Sequence, residues 1–183
     1  MSSTDTITMW TGQTSVVMDE IKRTGRYMVK KEYVNHKYGE SAWIFQEAYQ
    51  YLAVKAENMI ERPKGAESPV WVYREAGQIF GGKDVHYLKL CIPADKLILF
   101  DSRKWNRILN LNYIGKDEKD EETFEQRMRS RGIHDMLKIF STGYYPMEKR
   151  EIKKSWDRLF GDTNIEEAYI QGMTWEICEE WII

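Results

Sequence analysis

Apolar residues between Ala42 and Ile60 recur mostly at steps of three and four: Ala42, Phe45, Ala48, Tyr49, Leu52, Ala56, Met59 and Ile60. That period predicts a helix packed along one face, capped by Ser41 and stopped before Pro63 and Gly65. Ile7 to Gln13 instead alternates, with Ile7, Met9, Thr11 and Gln13 on one face of a short strand. Thr14 or Ser15 then caps a helix carrying Val17, Met18 and Ile21, and Gly25 ends it after Lys22 and Arg23. Tyr33 to Glu40 is polar and reads as a loop, and Pro69 to Tyr73 is β-branched and aromatic and reads as a strand. Val85–Ile92 and Leu97–Phe100 flank a Pro93-Ala94-Asp95 turn and are expected to form a hairpin or a closely spaced pair.

The second half is more helical. Asp101 or Ser102 caps a helix through Trp105, Ile108 and Leu109, and the charge run Lys116 to Glu122 predicts a solvated loop or frayed helix start. Phe124 to Phe140 predicts one or two helices broken near Gly132, and Ser155-Trp156 opens a short helix that ends at Gly161. The last strand is expected over Ala168 to Ile182, with Tyr169, Gln171, Met173, Trp175, Ile177 and Trp181 on one face. Without repeats or linkers, the pattern predicts one α+β domain over 1–183.

Composition narrows the class. Apolar residues at 42% and charged residues at 31% describe a globular protein. A net charge of -2 gives no basic footprint for coating nucleic acid, though a local groove could still hold one. Cys91 and Cys178 lack metal-ligand spacing and read as buried free thiols. Met1 to Thr8 is polar, and no run approaches the ~18 apolar residues of a membrane helix, so a cytoplasmic protein is expected. Seven Trp and eleven Tyr are the outlier, and either core packing or a stacking surface for bases accounts for them.

No Walker loop, dinucleotide glycine motif or nucleophile elbow occurs, and His36, His86 and His134 are scattered. No metal site is expected. Attention falls on two strand segments that each pair Gln with Gly near a Trp. They are Met9-Trp10-Thr11-Gly12-Gln13 and Ile170-Gln171-Gly172-Met173-Thr174-Trp175-Glu176. Gln171 projects toward apolar neighbours, so its amide either satisfies a strand edge or faces a cleft and holds a ligand hydroxyl. Glu176 falls on the opposite face unless a bulge shifts the register. Trp10 and Gln13 carry the same two readings as Gln171, and Tyr49 and Trp71 are either core or pocket wall.

The order of these segments, with Pro69-Val70-Trp71 and the run Leu88 to Asp101, resembles a bacterial family of this length known as a domain of unknown function. At fold level it also resembles the ADP-ribosyltransferase superfamily. That resemblance implies a split, mixed β-sheet core flanked by helices, with NAD as substrate and a protein or nucleic-acid acceptor. It also implies a toxin or phage-defence role, and with it an antitoxin-like partner. By the same resemblance Trp10, Thr11 and Gln13 lie at the nicotinamide and ribose end of NAD. Gln171 takes the catalytic-acid position, with Glu176 as the nearby carboxylate, and Tyr49 and Trp71 wall the cleft. Active members carry His or Arg on the first strand and a Glu for the ribose 2′-hydroxyl, and this chain departs at both points. The alternative is a non-enzymatic module that reads a nucleotide, RNA or protein through the aromatic cleft.

Overall fold

The computed structural model describes residues 5–30 and 42–183. The expected loop at Tyr33 to Glu40, the Ser41 cap and His36 lie outside the described residues. The protein is α+β, and its chain forms two compact units, Met1–Leu99 with Glu166–Ile183, and Phe100–Ile165.

The first unit holds two sheets. Strand β1 (Thr6–Gln13) is followed at once by helix α1 (Ser15–Thr24), as the alternation and the Gly25 stop predict. Gly25 adopts φ 78, the left-handed conformation that glycine takes without strain, and its N–H closes the helix on the Ile21 carbonyl. Short β2 (Arg26–Tyr27) pairs with β7 (Ile177–Cys178). Helix α2 (Ala42–Ala56) buries Ala42, Ala48, Leu52 and Ala56, four of the residues in its predicted stripe.

The larger sheet contains β3 (Val70–Tyr73), β4 (His86–Pro93), β5 (Ile98–Asp101) and β6 (Ile170–Thr174), in the order β4-β1-β3-β6-β5. The β1–β4, β1–β3 and β3–β6 pairings are antiparallel. This order corrects the expected hairpin: β4 and β5 are four residues apart in sequence, three of them a 3-10 turn, yet they lie on opposite edges of the sheet. Three strands intervene, and those beside β4 and β5, β1 and β6, offer longer faces than a four-residue hairpin partner. One face of the sheet carries a hydrophobic core cluster. Met9, Val70, Val72, Leu88, Leu90 and Ile92 pack there against Val17, Ile21, Ile177 and Trp181.

The expected single last strand is also corrected. Glu167–Tyr169 is a 3-10 turn, the strand proper is β6, the chain bends at Trp175 and Glu176, and β7 then joins the other sheet. Glu179–Trp181 is a further 3-10 turn. Trp181 and Ile177 consequently belong to the core face, whereas Gln171 does not.

The second unit is built on helices α3 (Ser102–Leu109), α4 (Glu118–Ser130), α5 (Leu137–Ser141) and α6 (Pro146–Ser155). The charge run is the first turn of α4, where Asp117 caps the helix and Glu118, Asp120 and Glu121 face its positive dipole end. Helix α6 opens with Pro at its first turn, and the short helix expected at Ser155-Trp156 follows it as a 3-10 turn over Trp156–Leu159. Trp156 is fully buried, stacks on Phe140 at 5.7 Å and donates its indole N–H to the Asn112 carbonyl.

Asp101 caps α3. Burial pushes its carboxyl up, but the Arg103 side chain and backbone N–H, bonded at 2.7 to 3.1 Å, outweigh that and hold it below the ordinary 3.8. A carboxyl depressed in the folded state adds stability above its unfolded pKa, and loses it as pH falls through the lower folded value. Asp101→Asn keeps the cap but not the charge. Its urea midpoint is expected to fall below wild type at pH 6 and to converge with it near pH 2.

Candidate functional site

Antiparallel register puts directly opposed residues on the same face of a sheet. Lys89 opposes Trp10, Trp10 opposes Tyr73, and Tyr73 opposes Gln171. These four side chains form one row on the face away from the hydrophobic core. Gln171 is 7% exposed, and its amide is not among the buried polar atoms that lack a partner in the described residues. The next row on this face holds Trp71 opposite Met173. Trp71 lies 5.3 Å from the ring of Tyr49 on α2, which lies edge-on to Phe45 at 6.3 Å. Lys89 brings its ammonium 5.8 Å from the Trp10 ring centre, a positive charge beside the aromatic row.

This arrangement revises the predicted site. The first and last β segments are not neighbours: β3 lies between β1 and β6, which separates their backbones by about 10 Å at ~4.8 Å per strand. Thr11 opposes Leu88 and Gln13 opposes His86, so both point to the core face, opposite Gln171. Thr11 is 1% exposed and donates its hydroxyl to the Trp71 carbonyl at 2.9 Å, while the Gln13 amide donates back to the Thr11 oxygen at 2.9 Å. Two residues expected at the ligand thus satisfy each other and the strand backbone. Trp10, Tyr49, Trp71 and Gln171 do come together. Tyr73 and Lys89 complete the row and were missed. Tyr73 was within reach, because the alternation in Val-Trp-Val-Tyr puts it on the Trp71 face; Lys89 needed the register.

Glu176 lies in neither strand, at the bend between β6 and β7. Its side chain is 12% exposed, with Oε2 buried, without a hydrogen bond among the described residues and 3.7 Å from an Arg26 nitrogen. The neighbouring Trp175 indole N–H is also buried without a partner among the described residues, and the Arg62 guanidinium lies 4.8 Å over its ring. Burial, then Glu176 and Glu180, push the Cys178 thiol up to about 11, so it stays protonated at neutral pH. Both cysteines are free and half-buried.

One other cluster has chemically suggestive members. At the first turn of α1, Ser15 donates its hydroxyl to Asp84 at 2.5 Å and lies 2.9 Å from His86 Nε2. The serine sits between acid and imidazole, so its proton goes to the carboxylate and the histidine cannot relay it as a base. That hydrogen bond also holds Asp84 below its ordinary pKa. Among the described residues no group of three His, Cys, Asp or Glu has metal-binding geometry, and no helix is long and apolar enough to cross a membrane.

No curated protein and no solved structure matches this chain. Residues 8–183 match a family described as a domain of unknown function, and the match includes both Gln-Gly strands and every residue of the row. The chain therefore belongs to the DUF3841 family, whose match runs from the first strand to the last residue.

Proposed function

We propose that the face carrying Gln171 binds NAD and that the protein transfers its ADP-ribosyl group to a protein or nucleic-acid acceptor. The observation that supports the reading is a largely buried glutamine set in a row with Tyr73 and Trp10. Its amide can both donate to and accept from a ligand hydroxyl. The rings of Tyr73, Trp10 and Trp71 on the strands to one side supply flat surfaces for the nicotinamide.

In the reaction, Gln171 holds the ribose hydroxyls while the bond from ribose C1′ to the nicotinamide nitrogen breaks. The bonding pair leaves with nicotinamide, which becomes neutral. The acceptor nucleophile then forms the new bond to C1′ and gives up its proton. An amide orients the sugar but stabilises its developing positive charge less than a carboxylate does. A slow enzyme is expected, and a role as toxin or phage-defence effector, with an antitoxin-like partner, would suit one that acts on few targets.

A second reading, binding without catalysis, is favoured by one observation: the row contains no carboxylate, and Glu176 lies outside it beside Arg26. Labelled NAD incubated with the purified chain and a cell lysate separates the two. Label on a macromolecule, with nicotinamide released, supports transfer. Tryptophan quenching by NAD without release supports binding alone, and neither response sinks both.

A further inference from the structure

Helix α6 sorts its charges by direction. Glu148, Ile152 and Ser155 are buried, and both acids of the helix meet arginines at the end of α4, Glu148 with Arg131 and Glu151 with Arg127 at 2.6 Å. Lys149 and Lys153 are half-buried with contacts of their own, Lys149 over the Phe140 ring at 5.1 Å. Arg150 and Lys154 differ: both are exposed, they stand one turn apart, and neither has an ion pair among the described residues. Met147, Arg150 and Lys154 recur at steps of three and four, which makes one outward stripe opposite the buried side. Tyr144, 85% exposed, stands just before the helix at the N-terminal end of that stripe, and Asp157 ends it.

We infer that this stripe docks single-stranded nucleic acid, with Tyr144 stacked on an unpaired base and Arg150 and Lys154 on neighbouring phosphates. The inference goes beyond the NAD reading and does not depend on it. Two like charges one turn apart oppose each other within the helix, and a chain of phosphates relieves both at once. The exposed ring selects the kind of strand. Every unpaired base presents a face for stacking, whereas the bases of a duplex are already stacked on one another. An anionic membrane fits less well, because an interfacial helix buries an apolar face in lipid. Here Met147 is the exposed apolar residue of α6, while Ile152 is spent inside the protein.

Fluorescence anisotropy of the full chain with labelled oligo(dT), oligo(U) and a duplex, beside sedimentation with phosphatidylserine vesicles, tests this. Both single strands are expected to bind, with log K falling against log salt at a slope of about -1.4, two phosphates at ~0.7 each. Arg150→Glu combined with Lys154→Glu should weaken strand binding ~10-fold or more at low salt. Tyr144→Ala should weaken it ~5-fold or more and leave the slope unchanged. The duplex should bind at least ~5-fold more weakly than either strand. All three substituted side chains are exposed, and an unchanged melting temperature checks that the variants fold. A preference between the two strands tells RNA from DNA and supports the stripe either way. Strand binding indifferent to the charge reversals, duplex binding as tight as strand binding, or binding to vesicles alone overturns it.

Discussion

A Gln171→Met protein is expected to keep a melting temperature close to wild type and to lose its response to NAD. The two side chains have nearly the same length and volume, so packing changes little. What changes is the amide of a residue that is 7% exposed. Such a near-isosteric change should shift stability by no more than about 1 kcal/mol in either direction. For a chain of this size that is roughly 2–4 °C in melting temperature. Binding should fall at the same time, because methionine cannot hold a ribose hydroxyl. A lost response with stability kept is what a ligand-holding amide produces. A structural glutamine would instead lose stability on this change, so a melting temperature lowered by more than that would remove Gln171 from the site. Differential scanning fluorimetry with and without NAD reads both effects in one experiment.

Gly172→Ala, one residue along, is expected to be strongly destabilising. A β carbon built there would lie 2.8 Å from the Ile98 carbonyl oxygen, with Leu99 and Leu97 side-chain carbons at 3.0 and 3.2 Å. The nearest obstacle is backbone, in the strand beside β6, so relief requires the two strands to move apart. Forcing an extra methyl into such a contact costs about 1–3 kcal/mol, and this site belongs at the upper end. Gly12→Ala is the control. Its β carbon would meet Ile79 at 2.5 Å and Val85 at 3.0 Å, both side-chain atoms, and these can swing aside. A urea midpoint lowered much more for Gly172→Ala than for Gly12→Ala is the expected result. Equal midpoints would mean that β5 yields easily and that glycine is not required for its approach to β6.

Local features were legible where one side of an element meets water and the other meets apolar side chains. The α2 stripe, the β1–α1 junction and its Gly25 stop, the Asp101 cap and the helix break near Gly132 all rest on neighbours a few residues apart. The last strand failed for the same reason that these succeeded. Period-two alternation continues from Tyr169 to Trp181, but a bend at Trp175 resets the face without disturbing the pattern. Gln171 therefore looks like a companion of Ile177 in the sequence, whereas in the structure it stands across the sheet from that core. Thr11 and Gln13 were misread through a related gap: alternation told which side chains share a face, but not which face the hydrophobic core covers.

By itself, the amino-acid order determined the class of fold, most helix and strand positions, and the residue types able to meet a nucleotide. Only tertiary structure decided that β3 runs between the two Gln-Gly strands, and which aromatic rings stand beside Gln171. The physical reason is that strand order is a competition between hydrophobic faces far apart in the chain. Its outcome depends on total buried area and backbone pairing, neither of which any local window contains.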